Sequence, residues 1–128
     1  MTGIELQPIE LHGFSVVPTL DADTLRLAFS GVADLDAVAG LGALLPKVHQ
    51  QAAVHDVREV QFDFCALEFM NSSCFKALVT FIDNAKTVSA TYRIRFITTS
   101  KHYWQRRSLE ALRRLAMGIV LIQSDQDG

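Results

Sequence analysis

Residues 63–75 read DFCALEFMNSSCF, and this stretch decides the predicted fold. Just upstream, residues 57–64 alternate between polar and apolar side chains, a pattern that predicts a half-buried strand in the centre of a sheet. Residues 65–71 are predicted to form a short crossing loop, after which Ser72 and Ser73 open an amphipathic helix. A serine at a helix start lies beside unpaired backbone N–H groups and the positive end of the helix dipole, where an added phosphate is electrostatically tolerated. The stretch therefore indicates a switch rather than a catalyst.

Strand and helix patterns alternate along the rest of the chain. The predicted strands are residues 12–19, 24–30, 57–64, 92–98 and 119–122, and the predicted helices are residues 35–53, 72–86 and 100–116. Asp34 or Asp36 is expected to cap the first helix. The first two strands should form an antiparallel hairpin, whereas each later strand follows a helix of crossover length and should run parallel to its neighbour. The sequence thus predicts an α/β fold of order β-β-α-β-α-β-α-β, with helices packed on a mixed, mostly parallel sheet of about four to five strands.

Length and composition fit one globular domain. Of the 128 residues, we assign 10–123 to the domain, 1–9 to an N-terminal extension and 124–128 to a tail. The formal net charge of −2 provides no field that would hold nucleic acid. No signal-peptide pattern and no spanning apolar run is found, so we predict a cytoplasmic protein without membrane insertion.

The sequence shows no pattern typical of a catalytic or metal site. Two cysteines, Cys65 and Cys74, are too few for a disulfide framework, and we expect both in the core. Ser72 and Ser73 lack the flanking glycines of a Gly-X-Ser-X-Gly hydrolase elbow. The histidines are not at metal-ligand spacing; they are His12, His49, His55 and His102. We therefore predict no enzyme activity, no metal and no cofactor.

The last predicted helix has a basic outer face. Its arginines are Arg106, Arg107, Arg113 and Arg114. Such pairs can recognise phosphate groups, nucleic acid or lipid headgroups, but a solvated helix face is the commoner explanation. Tyr103 and Trp104 at the helix start either anchor it to the sheet or belong to an interface, and we expect packing.

The stretch from residue 63 to residue 75 resembles the signature of STAS domains, the anti-sigma factor antagonist family. That signature is Asp-Leu-Ser, three or four mostly apolar positions, then Asp-Ser-Ser-Gly-Leu. The two stretches align without gaps. Asp63 matches the family's strand-end Asp, and Phe69 and Met70 match its apolar pair. Asn71 then matches the second Asp, Ser72 and Ser73 match the two serines, and Cys74 matches the Gly. Residues 31–34, GVAD, resemble the family's Gly-Glu-Leu-Asp. Because the element order also agrees, the resemblance implies a single STAS-like domain.

The resemblance implies a non-enzymatic signalling module that regulates transcription. In such a system Ser72, with Ser73 as second choice, is phosphorylated by a serine kinase of the histidine-kinase-like ATPase fold and restored by a metal-dependent serine phosphatase. The unmodified protein binds the kinase, which is also the anti-sigma factor, or another regulator, and thereby frees a sigma factor or effector. The phosphorylated form releases its partner. The expected partner-binding residues are Asp34, Glu68, Asn71, Ser73, Cys74 and Lys76.

Two residues depart from the family pattern. Asn71 in place of Asp keeps an oxygen that can accept the N–H of Ser73 or Cys74, but it removes a carboxylate that could orient a kinase. Cys74 in place of Gly adds a side chain at the first turn and narrows the docking surface. We expect a phosphate on Ser72 to spoil a binding surface rather than to change the conformation, because a charge buried without cationic partners costs several kcal/mol.

Three other interpretations stay open. Ser72 and Ser73 can be a plain helix-capping pair. The chain can be a constitutive subunit, resembling STAS proteins that dock on an ABC transporter ATPase, or can bind a signalling scaffold, in either case without phosphorylation. A small-molecule or nucleotide sensor would use the helix N-terminus as an anion pocket. The oligomeric state is equally open, since an exposed edge strand can serve self-association or a heteromeric contact.

Overall fold

The structure, a computed structural model, describes residues 4–87 and 92–124. The strands in this part of the chain are β1 (Ile9–Leu11), β2 (Phe14–Asp21), β3 (Thr24–Ala33), β4 (Glu59–Met70), β5 (Arg93–Thr98) and β6 (Val120–Ser124). The helices are α1 (Val38–Val54), α2 (Ser72–Thr87) and α3 (Tyr103–Leu115), with a short 3₁₀ helix at Leu35–Ala37 before α1. In the described ranges, every helix is too short or too polar to cross a membrane.

The strands form one sheet in sequence order, β1-β2-β3-β4-β5-β6. β1, β2 and β3 pair antiparallel, and β3 through β6 pair parallel. This confirms the mixed, mostly parallel sheet with helices as crossovers. The sheet has six strands rather than four to five, because β1, with three residues, is too short to give an alternating pattern.

One face of the sheet carries all three α-helices. Each helix connects one parallel strand to the next strand in the same direction across the sheet. Because such connections all have the same hand, α1, α2 and α3 lie on the same side of the sheet. Neighbouring helices contact each other. Phenylalanine rings from β3, β4 and β5 fill the layer between sheet and helices: Phe29 and Phe64 lie edge-to-face with centroids 4.9 Å apart, and Phe62 and Phe96 lie 5.0 Å apart. Burial of each such side chain stabilises the fold by roughly 1.5–3 kcal/mol.

The opposite face of the sheet is polar. Arg26 forms an ion pair with Asp63, and Arg95 forms one with Glu59 at 2.9 Å. Burial alone would raise the pKa of Asp63, but the backbone N–H of Cys65 and the Arg26 guanidinium together bring that pKa below its usual value. Asp63 thus lies inside β4 as a cross-strand ion pair, not at a strand end where the resemblance placed it.

The predicted crossing loop at residues 65–71 is wrong, because β4 continues to Met70. β3 supplies the partner for this extension: Val32 pairs with Phe69, and Ala33 with Met70. Two register shifts interrupt the β3–β4 ladder, and they break the alternation by which a strand is recognised in a sequence. Glu68 therefore lies on a strand rather than on a loop.

Side chains of α3 take the place of a strand beside the end of β4. The β4–β5 ladder stops at Asp63, and beyond it Gln105 Nε2 donates to the carbonyl oxygens of Phe64 (2.7 Å) and Leu67 (2.9 Å). Trp104 Nε1 donates to the Glu68 carbonyl at 2.8 Å. The prediction that Trp104 anchors its helix to the sheet is confirmed. Its neighbour Tyr103 does not pack, since it is 94% exposed.

Candidate functional site

Helix α2 begins with an asparagine cap. The Asn71 side chain accepts the backbone N–H of Cys74 at 2.8 Å, and the Asn71 carbonyl accepts the N–H of Phe75 at 3.0 Å. The Asn71 N–H in turn donates to the Ala33 carbonyl of β3 at 2.9 Å. The predicted cap is confirmed, with Cys74 as the donor. Strand pairing and capping together fix where the helix starts.

Ser72 and Ser73 are the first two residues of α2. Ser72 is exposed and Ser73 is half-buried. Within the described ranges, neither hydroxyl nor either backbone N–H forms a hydrogen bond. Both N–H groups therefore lie at the positive end of the helix, beside a serine hydroxyl that an enzyme can reach.

Asp34 lies directly against the cap of α2. Its carboxylate accepts the Leu35 N–H at 2.8 Å, as expected of the residue that starts the first helix, and accepts the Asn71 side-chain N–H at 3.3 Å. The ends of β3 and β4 are paired through Ala33 and Met70, so the residues that follow them meet. The structure thus brings together Asp34 and Asn71, which are 37 positions apart in the sequence.

Cys74 lies beneath this surface. It is fully buried, and its Sγ donates to the Asp34 carbonyl at 3.4 Å. Burial, reinforced by the carboxylates of Asp34 and Asp36, raises the pKa of the Cys74 thiol. A core position is confirmed for Cys74, whereas Cys65 is only half-buried. Cys74 therefore supports the α2 start from inside the core.

The other predicted partner-binding residues lie around the same helix start. Lys76 is exposed on α2, one turn beyond Ser72. Glu68 is exposed on β4, three residues before Asn71. Polar residues of both signs thus flank the serines.

Exposed apolar side chains complete this surface, and the sequence analysis did not single them out. Val32 is 40% exposed, Leu35 73% and Phe69 49%. Val32 and Phe69 are paired neighbours on β3 and β4, and Leu35 directly follows Asp34. We call Val32, Leu35 and Phe69 the apolar rim. Periodicity could not reveal it, because a strand pattern shows that side chains alternate but not that a large apolar one is left uncovered.

The groups exposed at this site are a hydroxyl, backbone N–H groups and apolar side chains. Among the described residues, no group of His, Cys, Asp or Glu side chains is arranged to hold a metal ion. Within the same part of the chain, no base is hydrogen-bonded to Ser72 or Ser73, as an activated nucleophile requires. An exposed hydroxyl, orphan N–H groups and uncovered apolar side chains can accept a modifying group and contact another protein.

The chain is similar in structure to solved anti-sigma factor antagonists. One from Mycobacterium paratuberculosis matches with a TM-score of 0.65 at 14% identity, covering 89% of this chain and 89% of that one. The anti-sigma factor antagonist SpoIIAA in its unphosphorylated form matches with a TM-score of 0.58 at 18% identity, covering 89% and 91%. The Bacillus cell fate determinant SpoIIAA in the phosphorylated form matches with a TM-score of 0.56 at 18% identity, covering 89% and 94%.

At the level of sequence, no family model matches the chain, and no curated protein matches it either. The likeness therefore rests on three-dimensional structure, and it spans nearly the whole length of each protein compared. The chain has the fold of the anti-sigma factor antagonists, a STAS-like domain.

Proposed function

We propose that this protein is a cytoplasmic, non-enzymatic regulator whose binding to a partner protein is switched by phosphorylation of Ser72. The observation that carries the proposal is the exposed Ser72 hydroxyl at a capped helix start, next to the apolar rim. An apolar rim favours contact with another protein, and a modifiable hydroxyl at the neighbouring helix start gives that contact an off state.

The structural relatives support this proposal. SpoIIAA, which shares the fold, is known in an unphosphorylated and a phosphorylated form. By this analogy the partner is an anti-sigma factor kinase of the histidine-kinase-like ATPase fold, and a serine phosphatase reverses the modification. The downstream output is control of transcription through a sigma factor or another effector.

The energetics of the switch follow from the position of Ser72. A phosphate adds about −1.5 to −2 charges at neutral pH, and the helix dipole favours an anion there by about 0.3–1 kcal/mol, so the fold tolerates it. In a bound complex, the same charge would be buried against apolar side chains. The cost of several kcal/mol that this implies corresponds to a hundredfold or larger loss of affinity.

The test compares Ser72→Asp with Ser72→Ala as baits in native lysate, with mass spectrometry reporting the bound proteins and the phosphorylation state of each serine. We expect a kinase or anti-sigma-type partner to be retained by Ser72→Ala and by the unmodified chain, and to be lost from Ser72→Asp. Ser72→Asn is the matched control, because it has the size of Asp without the charge, and it should retain the partner. Retention of the partner by Ser72→Asp would contradict the switch.

The apolar rim also fits a constitutive contact, and this is the second candidate function. In it, the chain docks permanently on an ABC transporter ATPase or a signalling scaffold through Val32, Leu35 and Phe69. Phe69→Ser would then abolish capture of the partner while the serines stay unmodified in cells. The two functions are distinguished by whether phosphorylated Ser72 is found in native protein.

A further inference from the structure

The outer edge of β6 is covered by Met117 at Val120, but beyond that residue the strand carries no charge and no proline. β6 is the last strand of the sheet, and within the described ranges no strand pairs with its outer side. Natural edge strands are usually blunted by charged residues, proline, bulges or shortness. β6 reads VLIQS, which contains no charge and no proline. The opposite edge, β1, is only three residues long.

The ladder shows which backbone groups of β6 face outward. The N–H of Ile94 donates to the Ile119 carbonyl at 2.8 Å, so in the parallel register Leu121 directs its backbone groups toward β5 and the next residue, Ile122, directs them away. The outward N–H of Val120 is already used, because it donates to the Ala116 carbonyl at 3.0 Å. Val120 is also paired with Met117 in an isolated bridge on this outer side. The N–H and C=O of Ile122 are therefore the groups directed to the open edge.

A basic groove of about 770 Å³ runs beside this edge. It is lined by Arg106, Glu110 and Arg113 of α3, and by Met117, Leu121 and Ile122. Glu110 forms an ion pair with Arg113, and the hydrogen bond and charge of Arg113, with smaller effects of the charges of Arg114 and Arg106, lower the pKa of Glu110. Met117 adds an uncovered apolar side chain, 70% exposed. The groove thus joins strand-pairing groups, positive charge and apolar surface.

We propose that the edge of β6 binds an extended acidic segment of a partner protein, which adds to the sheet as a seventh strand with its carboxylates against Arg106 and Arg113. Strand addition of this kind draws affinity from main-chain hydrogen bonds and specificity from alternate side chains. A second copy of this chain fits less well. Antiparallel pairing of two β6 strands would place the helices of both copies on one face and bring their arginines together, with like-charge repulsion.

The test selects, from a displayed library of random peptides of about ten residues, those that bind the full chain. The affinity of each selected peptide is then measured by fluorescence anisotropy. We expect peptides with acidic residues at alternate positions. Ile122→Pro, which removes the outward N–H without touching the β5 ladder, should weaken binding at least tenfold, whereas Ile122→Ala should stay within threefold.

The contribution of the groove's positive charge is tested with two arginine variants of α3, one inside the groove and one outside it. Arg106→Glu should weaken the selected peptides at least tenfold, whereas Arg107→Glu, exposed on α3 but outside the groove, should change binding less than threefold. Equal effects of the two variants would overturn the proposal, because binding would then follow overall charge. A selection that yields no acidic peptides would overturn it as well.

Amide hydrogen exchange keeps the proposal testable if Ile122→Pro fails to fold. A bound peptide should slow amide exchange at Ile122 at least tenfold. It should change the exchange rate at Leu121 much less, because that N–H is already hydrogen-bonded within the sheet. If Ile122 is protected to the same degree without peptide, the edge is covered by the chain itself and the proposal is wrong.

Discussion

Gly31 shows how one residue holds the candidate site together. Its φ is +89°, and a Cβ added there would lie 2.0 Å from the Gly13 carbonyl oxygen. That carbonyl accepts the N–H of Val32 at 2.8 Å, so the turn before β2 packs closely against β3 beside Val32, one residue of the apolar rim. Gly31→Ala should therefore lower the free energy of unfolding by about 3 kcal/mol or more, through backbone strain and the clash together. Urea denaturation measures this directly.

Gly13 provides the control at the same scale. Its φ is +82°, but nothing lies within 4 Å of the position an added Cβ would take. Gly13→Ala should thus show the cost of backbone strain alone, about 1–2 kcal/mol. If both variants lose the same stability, the close approach at Gly31 does not matter and our account of this turn is wrong.

At the scale of elements, the end of β4 depends on one side chain of α3. Gln105 is fully buried and donates to two β4 carbonyls, while its own oxygen accepts the Thr99 N–H at 3.1 Å. Gln105→Glu keeps the shape but removes the donor, leaving carbonyls without a partner beside a buried charge. We expect a loss of about 3 kcal/mol in unfolding free energy. Gln50→Glu, exposed on α1, is the control and should change stability by less than about 0.5 kcal/mol.

The same contact explains what could and could not be predicted at this scale. The α-helices and the parallel strands follow from periodicity, and the Asn71 cap and exposed Ser72 follow from local chemistry. The last residues of β4 do not, because they are held by Gln105 and Trp104, some forty positions away. Likewise, the apolar rim exists only because β3 and β4 end side by side, a tertiary fact that no local pattern contains.

At the scale of the whole molecule, the fold separates two surfaces. The apolar rim and Ser72 lie where β3 and β4 end, whereas the basic groove lies along β6, beyond β5. The core between them is a layer of buried phenylalanine rings that contact one another. Cores packed this closely have low compressibility. A charge on Ser72 occupies an exposed helix start and displaces no buried side chain, so it should leave the packing of α2 against α3, and of α3 against β6, unchanged.

The last prediction therefore concerns how far the effect of a charge on Ser72 extends through the molecule. Ser72→Asp should shift backbone amide resonances only near Asp34 and the first turn of α2, and should leave those of β6 unchanged. The free energy of unfolding should not fall, and should rise by at most about 1 kcal/mol, because the helix dipole favours the charge. Two-dimensional NMR of the unmodified chain, Ser72→Asp and Ser72→Asn, which has the same size without the charge, measures this. Shifts at Ile122 in Ser72→Asp but not in Ser72→Asn would mean that phosphorylation acts through the sheet, as a conformational change, instead of by spoiling the surface on which the partner binds.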